Sequence, residues 1–271
     1  MRLSIRHTTH YRFTEPVAHG LQRLRLVPKT TQGQHILEWS MRYEGAKAEL
    51  EYDDQNCNHT RLVSVLPGVE EVVIHCEGLV DTQDNAGMIG WHSGHLPLWA
   101  FLSQTARTRP GQRMRSLISS VRRTDEDVLP MLHELSAAIH AAVRYETGVT
   151  HVQTTAEEAM GEGMGVCQDH AHIFIGAARA LEVPARYVSG YLMMDDRVNQ
   201  EATHAWAEAH VAGLGWVGFD VSNGISPDPR YVRVATGRDY AEAAPVTGVS
   251  FGAAQQHLHV ALAIEQQVAE Q

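Results

Sequence analysis

Cys167 stands in the segment Gly165-Val-Cys-Gln-Asp-His-Ala-His172, behind glycines at 161, 163 and 165. From Val166 to Leu181 the spacing is helical, with Ile173, Phe174, Ala177, Ala178 and Leu181 on one apolar face. The thiol is therefore expected at a helix N-terminus, where unpaired N–H groups and the positive end of the dipole favour a thiolate. The segment Thr203-His-Ala-Trp-Ala-Glu-Ala-His-Val211 alternates as a strand. His204, Trp206, Glu208 and His210 share one face; Ala205, Ala207, Ala209 and Val211 share the other, which is small enough to pack under a helix. A second strand, Gly213 to Asp220, puts Trp216, Gly218 and Asp220 on one face. Thiol, imidazole and carboxylate make up a nucleophile, a base and an orienter. The imidazole takes the thiol proton and returns it to a leaving amine, while the carboxylate fixes its tautomer.

Whether the set assembles depends on how the two strands pair. A three-residue loop Val211-Ala212-Gly213, with Gly213 at positive φ, would set His204 opposite Asp220; a two-residue turn would put them out of step. An acyl-transfer site also needs oxyanion donors. The Cys167 N–H is the first candidate. Gln168, Tyr145 and Trp206 are candidates for the second. Glu208 reads equally well as support for the site or as part of a solvated face. The glycine run lacks the lysine and hydroxyl residue of a phosphate loop.

The elements around these residues change character along the chain. Leu3 to Phe13, Leu24 to Leu26, Leu37 to Tyr43, Leu62 to Leu66 and Val69 to Cys76 read as short strands separated by turn residues, which predicts a β-sandwich-like domain over 1–97. Residues 98–271 are expected to form the second domain. It opens with short helices at 98–106 and 113–123 and a longer one at 125–143, with Thr124 and the acids at 125–127 at its start. Strands at 185–194, 204–211 and 214–221, and a last one from Leu258 to Val268, follow the nucleophile helix and give an α+β pattern.

Composition narrows the function. With net charge −10, 44% hydrophobic and 20% charged residues, the chain suits a globular fold and disfavours nucleic acid and anionic membranes as partners. No apolar leader or membrane span is legible, so a cytoplasmic location is expected. Three cysteines, Cys57, Cys76 and Cys167, suggest free thiols rather than a disulfide framework. Seventeen histidines invite a metal, yet His170 and His172 diverge on a helix, and His257 and His259 have no third partner. No metal, calcium site or other cofactor is expected.

The segments 165–192 and 204–224 resemble the Cys, His and Asp motifs of the bacterial transglutaminase-like superfamily, grouped as transglutaminase-like enzymes or cysteine proteases. Residues 143–160 resemble the stretch before the family's nucleophile, residues 1–28 its N-terminal β-domain, and 225–248 its C-terminal part. The resemblance implies a papain-like α+β catalytic fold, a Cys167–His204–Asp220 triad, and thioester chemistry on amide or peptide carbonyls. A protein or peptide would be the substrate, and water or an amine would resolve the thioester. Cys57 stands where the branch usually has glycine, and His210 and Ala212 where aromatic residues and proline are common. Two rivals remain: a catalytically silent peptide-binding module that retains the fold, and a regulatory thiol that is oxidised reversibly.

Overall fold

The computed structural model describes residues 1–121, 128–251 and 256–267. In chain order the first strands are β1 (Arg2–Phe13), β2 (His19–Leu24), β3 (Gln34–Glu44), β4 (Ala46–Asp53), β5 (His59–Val65), β6 (Glu71–Thr82) and β7 (Met88–Gly90). A 3-10 turn at Leu98–Leu102 leads to α1 (Gln112–Ser120) and α2 (Val128–Ala142). Next come β8 (Arg144–Tyr145), α3 (Ala156–Glu162), β9 (Met164–Gly165) and α4 (Cys167–Ala180). The remainder is β10 (Ala185–Leu192), β11 (Asn199–Gln200), β12 (His204–Val211), β13 (Gly215–Phe219), β14 (Tyr231–Gly237), α5 (Tyr240–Ala243), β15 (Val246–Phe251) and β16 (Gln256–Gln266). The expected cap at 124–127 and the end of the last strand at 268 lie outside the described residues.

Among the described residues, three larger sheets stand beside the two-stranded pair β8–β9. One runs β11-β16-β1-β6-β3, a second β15-β2-β5-β4, and the third, which carries the candidate site, β14-β10-β12-β13-β7. Alternation along β1 decides how they stack. Its odd residues all face inward, but they serve two cores. Leu3 and Ile5 pack with Tyr191, Val232 and Val234 of the third sheet. Tyr11 and Phe13 pack with Leu24, Val63 and Val65 of the second. Between them His7 spans the junction, with Nδ1 at 2.9 Å from the Tyr191 hydroxyl and Nε2 at 3.0 Å from the Thr9 hydroxyl.

The long last strands do not stay with the second half of the chain. β16 pairs antiparallel with β1 from Leu3–Gln266 onward, and β15 pairs with β2. Both are edge-covering strands of the N-terminal sheets. The site-bearing sheet has α4 on one face: Ala205, Ala207, Ala209 and Val211 share a core with Ile173, Phe174, Ala177 and Ala178. This is the α+β arrangement expected, a nucleophile helix on an antiparallel sheet. Among the described residues, no helix is long and apolar enough to cross a membrane.

Candidate active site

Cys167 opens α4, with Val166 as its N-cap. The third helical residue, Asp169, reaches back: its Oδ2 accepts the Val166 N–H at 2.8 Å and the Thr150 hydroxyl at 2.7 Å. That bond fixes the backbone immediately before the thiol. The loop ahead of it is held by the parallel pair β8–β9, in which Tyr145 lies beside Gly165. The Cys167 N–H is a first-turn donor with no acceptor within its own helix, so it is available to an oxyanion.

His204 and Asp220 come from the β12–β13 hairpin, but not in the expected register. The loop is Ala212-Gly213-Leu214, closed by the Leu214 N–H to the Val211 carbonyl at 3.1 Å, and His210 pairs with Trp216. Gly213 has φ +83°, as the loop requires, and Gly215 has φ +82°. The register is two residues from that expectation, which places Asp220 diagonal to His204 instead of opposite. A two-residue slip keeps every side chain on its face. The pair still meets because β13 ends at Phe219 and Asp220 turns off into a backbone bridge with Ile225. His204 Nε2 and Asp220 Oδ2 lie 2.6 Å apart.

With Nε2 engaged, Nδ1 is the imidazole nitrogen left for the thiol, and Cys167 lies close enough to act on the His204 charge. Burial disfavours the imidazolium. The charge of Cys167 and the hydrogen bond to Asp220 outweigh it, and the pKa of His204 is pushed up to about 10. Asp220 is fully buried. Burial alone would raise its pKa, but His204, Tyr231 and Asn223 hold it below the usual carboxylate range. The Tyr231 hydroxyl donates to Oδ2 at 2.7 Å, and the Asn223 amide donates to the same oxygen at 2.7 Å. Asp220 also caps the following turn, accepting the Asn223 N–H at 3.3 Å.

The supporting candidates divide. The Gln168 amide donates to the Val152 carbonyl at 3.3 Å. Trp206 is buried and stacks on His204, with centroids 6.2 Å apart and planes 28° apart, while its indole N–H has no partner among the described residues. It forms a wall behind the imidazole. Tyr145 is half exposed and stacks parallel to His170, and its hydroxyl pKa is raised by burial and then by the nearby charge of Cys167. Glu208 is no solvated residue. It is fully buried and bridges Arg186 at 2.6 Å and Arg233 at 2.7 Å. Tyr231, Asn223 and Asp169 were missed as site residues. The only cue for Asp169 was its place three residues into the helix start, and Tyr231 lies in a segment with no periodic signal.

Residues 115–221 match the model of the transglutaminase-like superfamily, and residues 3–81 match that of the bacterial transglutaminase-like N-terminal region. Together these matches take in more than half of the chain. The chain belongs to the transglutaminase-like superfamily. Cys167, His204 and Asp220 all fall inside the transglutaminase-like core match, whereas Asn223 and Tyr231 lie past its end. Among curated relatives, an uncharacterized protein of Mycobacterium leprae is 25% identical over 97% of this chain and 98% of its own length. Uncharacterized proteins of Mycobacterium bovis and Mycobacterium tuberculosis are 36% identical over 46% of this chain and 43% of theirs. A solved structure from Cytophaga hutchinsonii, described as "a Putative Cysteine Protease", shares the fold with a TM-score of 0.75, at 22% identity over 98% of both chains. The transglutaminase-like core and its N-terminal β-structure are thus matched as one unit by a single solved chain.

Proposed function

We propose that this chain is a cysteine-dependent acyl-transfer enzyme acting on amide or peptide carbonyls. The observation that carries the reading is the His204 imidazole, bonded to the Asp220 carboxylate at 2.6 Å and near enough to Cys167 for the thiol's charge to raise its pKa. In the reaction, the Cys167 sulfur bonds to the carbonyl carbon while His204 holds the thiol proton. The carbonyl oxygen takes the negative charge and meets the Cys167 N–H at the start of α4. Collapse breaks the C–N bond, His204 delivers the proton to the departing amine, and a thioester remains. Water or a second amine then attacks the thioester, with His204 accepting its proton and returning it to the sulfur. Water gives hydrolysis, as in a protease or amidase; an amine gives transamidation. Asp220 keeps Nε2 oriented and stabilises the imidazolium throughout. A protein or peptide amide donor is the substrate class, with an amine acceptor in the transamidation case.

The test is alkylation of each cysteine followed by peptide mapping, in wild type and His204→Ala. Cys76 is the internal standard, since it is buried and burial pushes its thiol up to about 12. Cys167 is expected to react fast below pH 7 and to slow about tenfold or more in the variant, with Cys57 and Cys76 unchanged. If the variant leaves Cys167 unaffected, the imidazole does not activate the thiol, and the silent peptide-binding module becomes the better reading.

A further inference from the structure

Away from the triad, the N-terminal β-structure meets the outer face of the site-bearing sheet across a cavity of about 320 Å³. Its walls include Lys29, Asn56 and Cys57 on one side and Arg186, Trp216 and Arg233 on the other. The volume suits a small molecule. The charges do not balance. Arg186 and Arg233 share one carboxylate, Glu208. Lys29 donates only to neutral acceptors, the Asn56 carbonyl at 2.6 Å and the Thr236 hydroxyl at 3.1 Å. It enters none of the described ion pairs. Asp53 also borders the cavity, but it is exposed and faces His59 at 3.4 Å. Burial, then Arg233 and Arg186, push the Lys29 ammonium well below its ordinary pKa. Two guanidiniums sharing one buried carboxylate, and an amine that holds its proton poorly without a counterion, thus surround open space.

The cavity wall is also rigid. Asp54 clamps the turn below Cys57, accepting the N–H groups of Asn56 at 2.9 Å and Asn58 at 3.0 Å, and the Arg25 guanidinium at 2.9 Å. Cys57 sits at φ +55°, a left-handed conformation that non-glycine residues seldom hold. On the facing wall, Arg186 Cζ lies over the Trp216 ring, 3.8 Å from its centroid, and its guanidinium also binds Glu208.

We propose that this cavity is a binding site for a small organic anion, a carboxylate or a phosphate monoester, seated between Lys29, Arg186 and Arg233. The anion supplies the missing negative charge, and Trp216 gives its organic part an aromatic wall. Cys57, at the rim, reports occupancy.

The experiment follows iodoacetamide alkylation of Cys57 in the full chain, titrated with inorganic phosphate or succinate, against sodium chloride at matched ionic strength. At least one of the two anions is expected to slow Cys57 saturably, fivefold or more, leaving Cys167 unchanged. Protection by phosphate alone assigns the phosphate class, and protection by succinate alone the carboxylate class. In Lys29→Met, with its near-UV circular dichroism intact, the anion concentration for half-protection should rise tenfold or more. Protection no greater than that of chloride overturns the proposal, as does protection unchanged in Lys29→Met. If that variant does not fold, the wild-type competition with chloride decides alone.

Discussion

Each member of the proposed triad is held by neighbouring side chains: Asp169 fixes the backbone before Cys167, Asp220 engages His204, and Tyr231 and Asn223 hold Asp220. The placement of Cys167, His204 and Asp220 was legible because each lies in a short segment whose periodicity assigns it an element and a face. The hydroxyl of Tyr231 was not, because it lies eleven residues beyond Asp220 on a strand buried along its whole length. A strand of that kind has no alternation to read. Tyr231→Phe removes a hydrogen bond to a buried carboxylate, a loss of about 1.5–3 kcal/mol. Denaturant unfolding should show that loss with the m-value unchanged; an unaltered midpoint would mean that water or Asn223 takes over the bond.

Periodicity identified most of the elements and failed in two opposite ways. It gave β1, β12 and α4 nearly to their ends and started β3 three residues late. β4 was missed because almost all of its residues are exposed, so neither face is apolar. β14 was missed because all of its residues are buried, Arg233 and Thr236 among them. The hairpin register was beyond sequence reasoning, since the glycines at 213 and 215 allow more than one loop and alternation is blind to a two-residue slip. Ion pairing between β10, β12 and β14 was equally hidden. Glu208 joins all three strands through Arg186 and Arg233. Its carboxyl is held down to about 2 because the two arginines outweigh the burial that would raise it. Glu208→Gln leaves two guanidiniums facing each other without a counterion, which costs about 3–5 kcal/mol. A fall in the melting temperature of the whole chain should report it. A variant as stable as wild type would show that solvent already screens the arginines.

Across the whole molecule, pH acts through groups far apart in sequence. Burial pulls His7 down to about 4 and His172 down to about 3, from an ordinary value of 6.5. Below pH 6.5 the unfolded chain takes up protons that the fold refuses, so the stability these residues contribute is full above that pH and declines as pH falls. His204 has the opposite sign: its pKa is raised, so its contribution is full below 6.5 and is lost as pH rises toward about 10. Between pH 7 and 5 the two buried histidines together should remove about 3–4 kcal/mol. Urea unfolding at the two pH values measures the drop, and His7→Gln should remove roughly half of it; a flat profile would contradict the burial of these rings.

The pairing of β1 with β16 sets an order in time as well as in space. Leu3 finds its partner at Gln266, so one side of β1 stays open until the chain has been made through β16. The helices and the β12–β13 hairpin close over short separations and can form as they emerge, whereas the N-terminal sheet must wait. For that interval β1 presents an unpaired edge, the kind of surface that recruits strands from other chains. β1 therefore keeps that edge exposed from its own synthesis until β16 has been made, and β16 is the strand that covers it.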